Sequence, residues 1–210
     1  MTEAQLIRRV VKPVIWLAGL TPLGYQVWAF LTGHLEAEPV KGMEHFTGRT
    51  ALVILFITLA ITPLRRVTRR NSLIKLRRLL GLFAFFYGLV HFTIFLVFDL
   101  ELSFGDLAHE VMKRPYITVG FSVLLLLSVL AATSPQFMVR KLGKRWQSLH
   151  RIIYLAAAGG VLHFLWAQKK DIRLPLIYAA VLAGLLLFRL IPLRVFAPPA
   201  RPARTPAGVR

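Results

Sequence analysis

Six apolar runs, parted by short polar and basic connections, set the pattern of this chain; they cover roughly 14–31, 50–64, 79–98, 116–133, 149–167 and 174–191. Most are near the ~20 apolar residues that a helix needs to cross a hydrocarbon core of ~30 Å, so the pattern predicts an all-α, polytopic bundle of six transmembrane helices. The second run is short for a crossing and is expected to borrow Gly48 and Arg49 at one end. Pro22 should bend the first helix. Arg8, Arg9 and Lys12 precede that first run without a small-residue cleavage site after it, so it reads as a retained helix. Between the third and fourth runs, Leu102, Phe104, Leu107 and Val111 give Glu101 to Arg114 some amphipathic character. A solvated loop is the expectation there, with a surface-lying segment or a docking surface as the alternative. Positions 1–196 read as one transmembrane domain, and the Pro-rich stretch 197–210 reads as a disordered cytoplasmic tail.

Composition sharpens the picture. Of the 210 residues 56% are apolar, yet the formal charge is +18. A nucleic-acid-binding domain needs a solvated basic face, whereas here Lys and Arg lie between apolar runs. Their distribution also orients the chain. The N-terminus, the loops 65–78 and 140–151 and the C-terminal end together carry twenty basic residues against one acid, Glu3. The opposite connections carry seven basic residues against eight acids. The basic side is expected to be cytoplasmic, with both termini inside. There is no cysteine, which excludes thiolate chemistry and Cys-ligated iron–sulfur clusters within this chain.

Six histidines are present. His34, His45 and His109 fall in outer segments and read as surface residues; His109-Glu110 does not open a zinc-protease motif, since Lys113 stands where the second histidine would be. His91, His150 and His163 lie in or at the edge of the third and fifth runs. Imidazole in a membrane interior is costly without a partner. The third and fifth helices run in the same direction, and His91 and His163 stand roughly 18 Å and roughly 21 Å along them at 1.5 Å per residue. Two imidazoles at matching depth on neighbouring helices suit bis-histidine ligation of one b-type haem. Gly88, Gly159 and Gly160 are expected to let a porphyrin face approach backbone. His150 has no histidine partner at its depth, and an ideal helix turns it roughly 140° from His163. It is a candidate cofactor-binding residue with three roles open: haem with another axial ligand, a flavin or quinone contact, or a structural hydrogen bond. Arg77, Arg78 and Arg151 are candidates for neutralising propionates or a phosphate, set against the simple positive-inside rule. Trp16, Trp28, Trp146 and Trp166 lie near helix ends, as an interface belt does.

Two other classes stay open on these residues. One is a proton-coupled transporter using membrane histidines, for which the scarcity of Asp and Glu within the runs gives little support. The other is a haem-free membrane anchor for an external enzyme.

Arg77-Arg78-Leu-Leu-Gly81-Leu with Ala84-Phe-Phe-Tyr87 and His91 resembles the third helix of the MsrQ (YedZ) family. Arg114-Pro-Tyr-Ile-Thr-Val-Gly120, and Leu142-Gly-Lys-Arg-Trp-Gln-Ser-Leu-His150-Arg-Ile-Ile-Tyr154 followed by His163-Phe, are similar to it too. The resemblance implies a ferric-reductase-like transmembrane domain in the bacterial inner membrane that binds haem b, with FMN as a further cofactor. It implies electron transfer from the respiratory quinone pool, by quinol or a flavin reductase, to a periplasmic molybdenum-cofactor enzyme that reduces methionine sulfoxide in oxidised proteins. It assigns the haem-associated histidines to His91, His150 and His163. No glycine-rich dinucleotide fingerprint appears, so the reductant must come from outside the chain.

Overall fold

A computed structural model describes residues 3–35, 37–168 and 171–190. The predicted tail, 197–210, lies outside the described residues. Six helices are long and apolar enough to cross a membrane: α1 (Ile7–Leu31), α2 (Pro39–Thr68), α3 (Asn71–Asp99), α5 (Pro115–Ala132), α7 (Lys144–Ala167) and α8 (Arg173–Leu190). Two short helices join them, α4 (Phe104–Lys113) and α6 (Gln136–Leu142). No strand occurs among the described residues.

The antiparallel pairs α2–α3 and α5–α7 form the most extensive contacts. Small residues set the second pair. A Cβ added to Gly159 would lie 2.7 Å from Cγ2 of Val123, so α7 approaches α5 as closely as a bare backbone permits. Leu55, Leu59, Ala84, Leu130, Ala156 and Ala157 meet in the core that these helices share with Leu182 of α8.

Second-run length is where structure and expectation part. α2 has 30 residues and is therefore about 45 Å long. Polar residues at its start interrupt the apolar run but not the helix, because the helix itself satisfies them. Thr47, fully buried, donates its hydroxyl to the Met43 carbonyl at 2.8 Å, and Arg49 Nε donates to the His45 carbonyl at 3.1 Å.

Two prolines within spans, Pro22 and Pro63, are each met by a side chain from another helix. α1 continues through Pro22. One residue on, the Tyr87 hydroxyl accepts from the Leu23 N–H at 3.1 Å and donates to the Gly19 carbonyl at 2.6 Å. It thus stands between two groups that an uninterrupted helix would join directly. In α2, Pro63 has no N–H to give the Leu59 carbonyl four residues back. Arg189 of α8 supplies the donor, Nη2 to Leu59 O at 2.8 Å, and Arg66 Nη1 returns a bond to the Arg189 carbonyl at 3.2 Å. Both repairs follow from a solvent that offers no hydrogen bonds.

The segment expected to be a solvated loop is instead the ten-residue helix α4. Ser103 caps it, its hydroxyl accepting from the Asp106 N–H at 3.2 Å. Leu107 and Val111 are partly covered against α5, while Phe104 and Met112 stay 72% and 80% exposed.

Candidate functional site

Toward the acidic end of the bundle, α2, α3, α5 and α7 separate around a cavity of about 250 Å³. Its inner wall is apolar, with Leu52, Leu55, Leu124 and Leu127; its mouth carries Glu44, Arg49, Asp99, Arg114 and Tyr116. His91 and His163 enter it from α3 and α7, as the matched-depth argument requires. Their ring centres are 6.1 Å apart and their planes cross at 72°.

Each imidazole is held twice. Nδ1 of His91 is 3.0 Å from the Glu44 carbonyl of α2, and Nδ1 of His163 is 2.7 Å from the Tyr116 carbonyl of α5. A carbonyl only accepts, so in both rings Nδ1 carries the proton and Nε2 keeps its lone pair. Neither Nε2 has a hydrogen-bond partner among the described residues. This is the outer-shell arrangement that fixes a histidine for metal ligation. Each ring also lies on a glycine of the helix that supplies its carbonyl. A Cβ on Gly48 would be 3.2 Å from His91 Nδ1, and one on Gly120 would be 2.7 Å from His163 Nδ1 and Cε1.

The separation fits a shared metal. Imidazole nitrogens bind metal ions at about 2 Å and lie about 1.1 Å from the ring centre, so two rings on opposite sides of one ion have centres about 6.2 Å apart. No group of three or more His, Cys, Asp or Glu residues is arranged to hold a metal among the described residues. The pair therefore suits an ion whose other ligands come from a flat macrocycle.

His150 is placed apart from this pair. It stands in a tightened turn, His150–Ile152, within α7, its Nε2 is 3.0 Å from the Thr133 hydroxyl, and its ring stacks on Trp146 at 3.9 Å. Trp146 Nε1 in turn donates to the Thr133 carbonyl at 2.9 Å. His34, His45 and His109 are exposed, with His45 at the cavity mouth. Arg77, Arg78 and Arg151 do not line the cavity.

Of the glycines expected to admit a porphyrin, Gly88 and Gly160 line the cavity, whereas Gly159 serves the α5–α7 crossing. Sequence reasoning missed Gly48, Gly120 and Arg49 as site residues, and the helices that supply the two accepting carbonyls. One signal was present: Arg114, Tyr116 and Gly120, quoted above within a single motif, all line the cavity.

This six-helix membrane bundle with paired imidazoles between its spans falls in the family described as "Ferric reductase like transmembrane component", whose model matches residues 47–161. Relatives similar over nearly the whole chain narrow this. A protein of Bordetella pertussis is 46% identical over 194 residues, covering 90% of this chain and 94% of the relative. One of Herminiimonas arsenicoxydans is 48% identical over 183 residues (86% and 84%), and one of Brucella ovis 43% over 195 residues (93% and 87%). All three carry the name protein-methionine-sulfoxide reductase heme-binding subunit MsrQ. The chain belongs to the MsrQ family, and is a multi-pass bacterial membrane protein.

Proposed function

We propose that this chain is the haem b subunit of a methionine sulfoxide reductase system in the inner membrane, with His91 and His163 as the axial ligands of one haem. The basic end of the bundle faces the cytoplasm, which puts the cavity mouth on the periplasmic side. Electrons enter from quinol in the membrane and leave toward a periplasmic molybdenum-cofactor reductase. The relatives' shared name supports the haem and the reductase partner. The observation that carries the reading is the pair of Nε2 atoms left free on rings 6.1 Å apart.

Haem supplies reversible one-electron chemistry when bound. The chain's residues hold and isolate it. The Glu44 and Tyr116 carbonyls keep both Nδ1 atoms protonated, fixing the tautomer that presents Nε2. Leu52, Leu55, Leu124 and Leu127 exclude water from the inner wall. At the mouth, Arg114 is paired with Glu110 at 2.7 Å, while Arg49 has no carboxylate partner among the described residues. Arg49 is therefore the cation placed to receive a propionate. Reducing one sulfoxide to the thioether takes two electrons and two protons and releases water, so the site turns over twice per repair.

Reduced-minus-oxidised spectra of the purified chain, with pyridine haemochrome quantification, test this. A low-spin b-type spectrum is expected, lost in His91→Ala and in His163→Ala. Full retention of that spectrum in both variants refutes the assignment.

A further inference from the structure

The two imidazoles do not only meet at the right distance; they meet crossed. Their planes make an angle of 72°. Four contacts, all from helices other than those bearing the rings, define that angle. Each Nδ1 bond points its ring at a backbone carbonyl, on α2 for His91 and on α5 for His163. Each glycine then takes up the face of the ring where any larger residue would place a Cβ. At Gly120 that Cβ would lie 2.7 Å from two atoms of His163, about 0.7 Å inside ordinary van der Waals contact at 3.4 Å. At Gly48 the nearest atom of His91 would be 3.2 Å away, a shortfall of about 0.2 Å.

We infer that Gly48 and Gly120 are positioning residues that seat the two axial imidazoles in crossed planes. The inference rests on the haem reading above and goes beyond it, because ligation by itself leaves the relative orientation of the rings free. Ring orientation has an electronic consequence. In a low-spin ferric haem the unpaired electron occupies iron dπ orbitals that mix with the imidazole π systems. Parallel rings act on one of these orbitals and split the pair; crossed rings act on both and leave them nearly equal in energy. Near-equality gives a large orbital contribution and a strongly anisotropic g-tensor, so the device is visible in electron paramagnetic resonance without any assay of turnover. It belongs to the protein's means of tuning a haem through its axial ligands and their outer contacts.

The test uses the oxidised, purified full chain with its haem. The wild-type protein is expected to show one highly anisotropic low-spin signal of the crossed-plane kind. Gly120→Ala forces the His163 ring to turn or retreat, and is expected to move the signal to the ordinary rhombic low-spin form or to high spin. Gly48→Ala should shift it in the same sense but less, following 3.2 Å against 2.7 Å. Gly184→Ala, where an added Cβ meets nothing within 4 Å, should leave the spectrum unchanged. If Gly120→Ala does not accumulate, the wild-type signal and Gly48→Ala decide. A rhombic low-spin signal in the wild type, or an unaltered signal in the glycine variants, overturns the inference while leaving the haem reading in place. A wild-type chain that binds no haem overturns both.

Discussion

Removing the Arg189 side chain probes how the bundle repairs a proline in its longest span. Pro63 leaves the Leu59 carbonyl without its own helix donor, and Arg189 Nη2 fills that place at 2.8 Å. The same guanidinium donates to the Tyr154 hydroxyl and lies over the Tyr154 ring at 4.8 Å. Interhelical hydrogen bonds in membranes average about 0.6 kcal/mol, with a maximum near ~1.7 kcal/mol. A half-buried cation–π contact adds about 1 kcal/mol. A buried carbonyl left unpaired costs ~1–3 kcal/mol, the upper values applying where no solvent can replace the donor. Arg189→Leu should therefore destabilise the fold by about 2–3 kcal/mol. The diagnostic quantity is the coupling with Pro63→Ala. Alanine restores an N–H to the Leu59 carbonyl, so in that background Arg189→Leu should cost about 1 kcal/mol less. Unfolding the four proteins by titration from mild detergent into sodium dodecyl sulfate, followed by tryptophan fluorescence, measures the cycle. Additive effects, within the ~0.3–0.5 kcal/mol expected of independent sites, would refute the claim that Arg189 replaces the donor Pro63 lacks.

Other expectations follow from single contacts. Arg49→Leu should retain the b-type spectrum but lower the haem midpoint potential, because loss of the unpaired cation at the mouth destabilises the more reduced state; redox titration checks the sign. Tyr87→Phe removes the hydroxyl that links Leu23 N–H to Gly19 C=O, and should lower stability by about 1 kcal/mol, since those two groups can partly rejoin each other. Its haem spectrum should be unchanged, and hydrogen exchange should speed up in α1 around Leu23 rather than in α7.

The spans and the pairing of His91 with His163 were legible because both depend on periods that a chain carries within itself. Hydropathy runs give the crossings, and the rise per residue gives the depth of each imidazole. The start of α2 was not legible as membrane-length helix, because Glu44, His45 and Arg49 break the apolar run while the helix continues through them, Arg49 Nε bonding the His45 carbonyl. α4 did carry a local sign, Ser103 three residues before Asp106, a helix-start pattern masked by the expectation of a loop. What could not be read is which helix backs each ring. Gly48 and Gly120 matter through α2 packing on His91 and α5 packing on His163, and no period within α3 or α7 reports that. Gly159 shows the converse: it stands near His163 in sequence, yet it is spent on the α5–α7 crossing.

Packing also explains why the site sits toward one end of the bundle rather than at its middle. Toward the basic end, Leu59, Ala84, Ala156 and Ala157 are fully buried and pack into one core. Toward the acidic end the same four helices part, and Gly48, Gly88, Gly120 and Gly160 join the leucines in the walls. The missing side chains make the cavity, and the dense core behind it makes the seal. Charges keep to the rim of this arrangement: Glu44, Arg49, Asp99 and Arg114 line the mouth, while the inner wall has none. A carrier of electrons needs that division, because an electron can pass through close-packed side chains over a short gap, whereas a proton needs a chain of polar groups or water. Close packing behind the paired imidazoles is compatible with the first route, and the leucines of the inner wall interrupt the second.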